Sequence, residues 1–317
     1  MTEPAISVEG LRKRFGDVVA LDGIDFEVPP GTVFGLLGPN GAGKTTAVRI
    51  LTTILTPDGG TARVLGRDVT KDAEFVRCAI GLAGQFAAVD ENLTGSENLR
   101  LIGKLTHMPR PMIKPRAEEL LARFGLVDAA NRPAKTYSGG MRRRLDVAAA
   151  LVHRPSVLFL DEPTTGLDPA SRADVWVMVE ELVADGTTVL LTTQYLEEAD
   201  RLAAQLAVVD HGKVIASGSP AKLKATIGST FIDVDLPSQA AAKRAMKVLA
   251  DIVPAAPKLE GNTVELAVKN GAKVLIEVLR ALDAARIKPS TINLREPSLD
   301  DVFLALTGHK AEEESAA

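Results

Sequence analysis

Gly38-Pro39-Asn40-Gly41-Ala42-Gly43-Lys44-Thr45 has the spacing G-x-x-x-x-G-K-[ST] and stands between an apolar run at 33–37 and an amphipathic stretch that begins near Thr46. A strand that turns through glycines into a helix is the setting in which such a loop holds phosphate. The glycines let successive backbone N–H groups curl inward around an anion, Lys44 adds a charge for the β- and γ-phosphates, and the Thr45 hydroxyl can ligate Mg²⁺. Gly38 to Thr45, with Thr46 behind them, are therefore the candidate phosphate-binding residues.

A second group belongs with the first. In Val157-Leu158-Phe159-Leu160-Asp161-Glu162-Pro163 an apolar strand ends in two acids. Two adjacent carboxylates are often only a solvated turn, but beside a phosphate loop a strand-end acid is what approaches the metal. Asp161 is the metal-side candidate, and Glu162, one residue further, is the candidate general base for an attacking water.

The surroundings are those of an α/β domain. Residues 33–37, 157–160, 189–192 and 207–209 read as buried strands, alternating with amphipathic stretches. Between 86 and 137 the strand pattern gives way to helical patches such as 116–124, interrupted by Pro109, Pro111, Pro115 and Pro133, which suggests a helical insertion. After Gly218-Ser219-Pro220 a new order begins: strand 231–236, helix 239–249, two strands about Gly261-Asn262, helix 272–284, strand 291–294. That βαββαβ order predicts a small α+β, ferredoxin-like domain. The expected division is a phosphate-loop domain at 1–228, with its helical part at about 86–150, an accessory domain at 229–309, and an acidic, disordered tail at 310–317. Leu299, Val302, Phe303 and Leu306 form a helical stripe that calls for packing.

Composition narrows the function. The 317 residues carry 37 Lys and Arg against 41 Asp and Glu, a net charge of −4 that gives no general case for nucleic acid as a partner. A single cysteine, Cys78, excludes an intrachain disulfide and fits a reducing compartment. The N-terminal MTEPAISVEG lacks the features of a signal peptide, and the apolar runs stop well short of the roughly 20 residues that a membrane span needs.

Thr136-Tyr137-Ser138-Gly139-Gly140-Met141-Arg142 closely resembles the signature motif of ATP-binding cassette (ABC) transporter ATPases, and the motif order agrees from residue 5 to about 225. The resemblance implies ATP and Mg²⁺ as ligands, with Gln85 as the Q-loop glutamine at the metal and the attacking water. It places Phe15 where an aromatic stacks on adenine, and Asp168 in the D-loop Gly166-Leu167-Asp168. It also implies a head-to-tail homodimer, in which Ser138, Gly139 and Gly140 at a helix start meet the γ-phosphate held by the partner's loop. The run Arg142-Arg143-Arg144 reads as a solvated or phosphate-facing helix turn rather than a nucleic-acid patch.

Three stretches, 85–95, 191–200 and 295–303, are similar to the daunorubicin/doxorubicin-resistance type of drug-exporter ATPase. This implies separate transmembrane permease subunits, contacts to them through residues 86–106, a peripheral position on the cytoplasmic face of the membrane, and a drug or hydrophobic natural product as cargo. One departure stands out. Where most ABC ATPases have a switch histidine this chain has Gln194, which can donate a neutral hydrogen bond but cannot carry a proton. His107, His153, His211 and His309 are scattered and expected at the surface. The alternative is a soluble ABC ATPase working mechanically on ribosomes or DNA, but a second cassette or a long coiled coil would then be expected. A GTPase lacks its N-K-x-D motif here, and a weak-ATPase regulator fits poorly with retention of Lys44, Asp161 and Glu162.

Overall fold

The computed structural model describes residues 3–84, 89–252 and 256–307, which fall into two compact units dividing between Pro220 and Ala221. The first unit opens with β1 (Ile6–Phe15) and β2 (Val18–Val28), an antiparallel hairpin that pairs Phe15 with Val18 across its turn. Then come β3 (Val33–Leu37), α1 (Lys44–Leu51), β4 (Gly59–Val64), β5 (Arg67–Asp68), α2 (Ala73–Ala79) and β6 (Ile80–Ala83). Three longer helices follow: α3 (Gly95–Leu105), α4 (Arg110–Arg123) and α5 (Gly139–Ala150). The unit ends with β7 (Val157–Asp161), α6 (Pro169–Ala184), β8 (Thr188–Thr193), α7 (Leu196–Leu202), β9 (Gln205–Asp210) and β10 (Lys213–Gly218).

Two sheets result. A small antiparallel one has the order β2-β1-β4-β5, and a six-stranded one has the order β10-β9-β3-β8-β7-β6 with every pair parallel except the β9–β10 hairpin. In the large sheet β3, β7 and β8 are buried at every position, as parallel strands covered on both faces must be. Alternation sorts their side chains: Phe34, Leu36, Phe159 and Leu190 join the core with α1 and the small sheet, while Val33, Leu158, Leu160 and Leu191 join the core with α3 to α6. Because β3, β8 and β7 are parallel neighbours, their carboxyl ends emerge side by side, and the residues that follow them share one edge.

The helical insertion differs from expectation in one place. Helix α4 runs from Arg110 through Pro111 and Pro115 instead of starting after them. Pro111 lies in the first turn, where its missing N–H has no helical partner to lose, and Pro115 forgoes a single hydrogen bond.

The second unit contains α8 (Pro220–Ile227), β11 (Thr230–Asp235), α9 (Gln239–Leu249), β12 (Lys258–Glu260), β13 (Thr263–Val268), α10 (Gly271–Ala284), β14 (Thr291–Arg295) and α11 (Leu299–Thr307). Its sheet is antiparallel throughout in the order β12-β13-β11-β14, the arrangement of a ferredoxin-like βαββαβ unit. Gly261 turns the β12–β13 hairpin with φ at 60°. On α11 the stripe is only partly used: Leu299, Val302 and Phe303 are buried, whereas Leu306 is 45% exposed. The expected boundary after residue 228 lies one helix beyond the structural division, at the far end of α8. The tail expected at 310–317 falls outside the described residues.

Candidate active site

Residues 38–43 carry the chain from β3 to α1 in a curl that only small residues permit. Gly43 caps α1 with φ at 108°, a left-handed backbone that disfavours any side chain, and a Cβ at Gly38 would run into the carbonyl oxygen of Val209 on β9. The loop is pinned from the next strand as well, since Gly38 N donates to Thr193 O at 3.3 Å.

Lys44, the first residue of α1, is 4% exposed. Its Nζ donates to Gly38 O at 2.7 Å and Pro39 O at 3.1 Å, and lies 3.4 Å from Glu162 Oε1. Burial pushes the amine below its ordinary pKa, while Glu162 and Asp161 act in the opposite direction. Such an amine stands against acceptors that a phosphate oxygen can replace, at the N-terminus of a helix whose first N–H groups are unsatisfied.

The acids come from the end of β7. Asp161 is 4% exposed, and its Oδ1 receives the Thr45 hydroxyl at 3.2 Å and the Thr192 hydroxyl at 2.5 Å. Glu162 leaves the strand with φ at 50°, unusual for a residue with a side chain, and its backbone N–H is held by Thr192 through O at 3.1 Å and Oγ1 at 3.0 Å. The bend aims Glu162 back at Lys44. Val18, Val19, Ala20, residues 40–46 and Glu162 line one cleft of about 190 Å³.

The structure thus brings together Lys44, Thr45, Thr46, Asn40, Gly41, Ala42, Gly43, Asp161 and Glu162. Gln194 follows the last residue of β8 at the same sheet edge, half-buried. Phe15 is 47% exposed and reaches this cleft only through its strand partner Val18. Gln85 lies outside the described residues. Ser138, Gly139, Gly140 and Asp168 do not line the phosphate cleft. Ser138 is the N-cap of α5, with Oγ accepting Met141 N–H at 3.2 Å, and a Cβ on Gly140 would come to 2.5 Å from Ser171 Oγ. Close packing of α5 on α6 therefore already requires a small residue at 140. Asp168 caps α6: its Oδ1 accepts Ser171 N–H at 2.9 Å and its Oδ2 the Ser171 hydroxyl at 2.6 Å, bonds that hold its carboxyl below the usual carboxylate range.

Two expectations need correction. The arginine run is not uniformly solvated or phosphate-facing: Arg143 is turned inward, its guanidinium donating to Pro163 O at 2.8 Å, Gly84 O at 2.7 Å and Asp146 Oδ2 at 3.0 Å. It stitches α5 to the loops after β6 and β7. His153 is not a surface residue either, since it is half-buried with Nε2 2.8 Å from Ile80 O. Sequence reasoning also missed Thr192, the cleft-lining Val18 and Val19, and Glu198. Glu198 is fully buried on α7 and accepts the Thr164 hydroxyl at 2.9 Å and Trp176 Nε1–H at 3.0 Å. An apolar Val-Val pair that follows a Gly-Asp turn, 66% and 43% exposed, was the available clue to the first two.

Chemically, the cleft offers a desolvated cation, a helix N-terminus, an oxygen pair suited to a hard divalent cation, and a carboxylate close by. The ABC transporter family matches residues 21–165, and the DrrA1-3-like C-terminal domain of ATP-binding proteins matches residues 218–307. Daunorubicin resistance ATP-binding protein DrrA2 of Streptomyces coeruleorubidus is 52% identical over 98% of both chains. Daunorubicin/doxorubicin resistance ATP-binding protein DrrA of Streptomyces peucetius is 48% identical over 99% of this chain and 96% of its own. Among solved structures, the cbiO1 component of an ABC transporter complex from Clostridium perfringens superposes with a TM-score of 0.66 at 27% identity, covering 71% of this chain and 92% of that one.

Proposed function

Because the chain belongs to the ATP-binding proteins of ABC transporters, and along its whole length to their drug-resistance branch, we propose that it hydrolyses ATP in the cleft between the loop at 38–43 and the end of β7 to drive export through separate membrane subunits. The observation that carries this reading is the convergence on one cleft of Lys44, 3.4 Å from Glu162, and Thr45, 3.2 Å from Asp161.

The phosphates sit on the backbone N–H groups of residues 38–46 with Lys44 as counter-charge, and the adenine rests against Phe15 and the neighbouring Val18 and Val19. Thr45 and Asp161 are hard oxygen donors already within hydrogen-bond reach of each other, which suits Mg²⁺, and Gln85 is proposed as a further ligand. Bound there, Mg²⁺ neutralises charge that builds on the phosphate oxygens. Glu162 takes the proton of the attacking water, and Gln194 orients the water or the γ-phosphate through a neutral hydrogen bond. Ser138, Gly139, Gly140 and Asp168 serve the nucleotide of the second copy in a head-to-tail homodimer, which is why they stand apart from the cleft of their own chain. Among the described residues no helix is long and apolar enough to cross a membrane. From the transporter relatives we infer that separate permeases form the pathway and that the subunit sits peripherally on the cytoplasmic face. A drug or hydrophobic natural product is the proposed cargo, from the relatives' names.

Glu162→Gln tests the assignment, since it keeps shape and removes the base. ATP binding should persist, hydrolysis should fall at least about tenfold, and ATP should drive a monomer-to-dimer shift in light scattering. Normal hydrolysis by this variant would remove Glu162 from the mechanism.

A further inference from the structure

From residue 98 to residue 117 the chain has five Arg and Lys residues and no Asp or Glu, in a protein of net charge −4. Four of them are exposed and converge. Arg100 and Lys104 stand one turn apart on α3, Arg110 and Lys114 one turn apart on α4, and with His107 they line a cleft of about 690 Å³ at the turn that joins the two helices. The fifth, Arg116, points inward to Leu151 O, Val152 O and Glu119. Lys114 has an exposed carboxylate near it, Glu118 at 3.8 Å, a spacing and exposure at which pairing is weak. Next to Arg100 and Lys104 on α3 the hairpin exposes two large apolar side chains, Leu101 at 40% and Leu105 at 64%.

We propose that the tip of the α3–α4 hairpin docks on an anionic phospholipid surface, with Arg100, Lys104, Arg110 and Lys114 at the headgroup phosphates and Leu101 and Leu105 at the acyl boundary. A solvated helix face has no use for a pair of exposed leucines one turn apart, and a nucleic-acid backbone takes the cations but leaves Leu105 in water. A lipid interface accepts both, because the long basic side chains reach the phosphates while their stems and the leucines sink below. The proposal goes beyond the ATPase reading. Of the residues 86–106 expected to meet the permease, it gives Arg100 to Leu105 to the bilayer instead, an attachment that needs neither nucleotide nor permease.

The full-length protein is sedimented with vesicles of equal parts phosphatidylglycerol and phosphatidylcholine, and with vesicles of phosphatidylcholine alone. Partition onto the anionic vesicles, little onto the neutral ones, and a steep fall with added salt are expected. Replacing Arg100, Lys104, Arg110 and Lys114 together by Gln, all on exposed positions, should lower partition at least about tenfold. Leu101→Ser with Leu105→Ser should lower it while leaving the salt dependence in place. Inorganic phosphate should displace the protein no better than chloride at equal ionic strength; selective displacement would mean a discrete phosphate site and overturn the surface reading. Failure to bind anionic vesicles, or equal binding by the Gln variant, also overturns it, the second pointing to a protein occupant or none. Circular dichroism checks that each variant is folded. A fluorescent ATP analogue on the same samples reports the nucleotide cleft separately, so a failure there leaves the vesicle result standing.

Discussion

The Thr192 hydroxyl donates to Asp161 Oδ1 at 2.5 Å and accepts the backbone N–H of Glu162 at 3.0 Å. One β8 side chain thus orients both acids at the end of β7, holding the aspartate towards Thr45 and fixing the bend that aims the glutamate at Lys44. Thr192→Val keeps size and strand preference but removes both bonds. The expected cost is about 1–3 kcal/mol of stability, with turnover reduced roughly tenfold and a higher Mg²⁺ concentration needed for half-maximal hydrolysis. A Mg²⁺ titration of ATPase activity measures this, and a wild-type curve from folded Thr192→Val protein would reduce Thr192 to a strand residue.

Glu198 makes a stability prediction with a definite sign. Burial raises its carboxyl above the ordinary range, although Thr193, Thr164 and Trp176 hydrogen bonds work to lower it. A raised folded-state pKa means that the fold prefers the protonated acid, so stability declines as pH climbs from the ordinary carboxylate value, about 4.3, towards the folded one. Glu198→Gln keeps an acceptor for Thr164 and Trp176 without that liability, and its melting temperature should gain on wild type as pH rises through the window. Glu198→Ala leaves the Thr164 and Trp176 donors unmatched and should cost about 2–4 kcal/mol below the window, the deficit narrowing as pH rises and wild type loses stability. Parallel melting curves against pH for both variants separate these outcomes.

What was legible in the sequence was local. The loop at 38–45 and the strand ending in Asp161-Glu162 announce themselves because neighbours in sequence build each half of the site, and unbroken apolar runs mark β3, β7 and β8 because parallel central strands are buried on both faces. Thr192 was invisible for the opposite reason: a threonine is an ordinary strand residue, and its partner stands 31 positions away. Within Arg142-Arg143-Arg144 composition is silent about which guanidinium turns in. Helix phase decides it, placing Arg143 one turn before the buried Asp146.

Arg295 ties the stretch at 295–303 to the sheet of the second unit. At the end of β14 it gathers Asp233 at 2.9 Å, Glu265 at 2.6 Å and Asp301 at 2.7 Å, with its guanidinium 4.3 Å from the centre of the Phe231 ring. Ser298 and Asp301 meanwhile cap the start of α11, Asp301 N–H donating to Ser298 Oγ at 3.2 Å. Arg295→Met should cost about 1.5–3 kcal/mol at neutral pH, because three carboxylates lose their shared partner. Burial works to raise the Asp301 carboxyl, but Arg295 and Ser298 overcome it and hold it below the ordinary range. That stabilisation is therefore full above about pH 4 and fades as pH falls through the lowered value. Wild type and Arg295→Met should converge in stability as pH falls through the acid range, which denaturant melts can follow; a constant gap would show that packing on Phe231, not charge, is what Arg295 supplies.

Gln194 is held by its neighbours more than by itself. Thr193 O receives Gly38 N–H at 3.3 Å and Thr193 Oγ1 receives Tyr195 N–H at 2.9 Å, so the backbone on both sides is fixed against the phosphate loop whatever side chain stands between. Truncation should therefore remove one neutral hydrogen bond and leave the site in place. For Gln194→Ala this predicts a loss of roughly 0.5–1.5 kcal/mol in the transition state, or about two- to tenfold in turnover, with ATP affinity little changed. Gln194→His should be tolerated and should turn over at least as fast, since imidazole spans a similar reach and can add positive charge where negative charge develops. Single-turnover hydrolysis alongside nucleotide titration reads both effects. A loss of several orders of magnitude in Gln194→Ala with unchanged ATP binding would give the glutamine a central catalytic part, and Glu162 could then not be the sole group acting on the water.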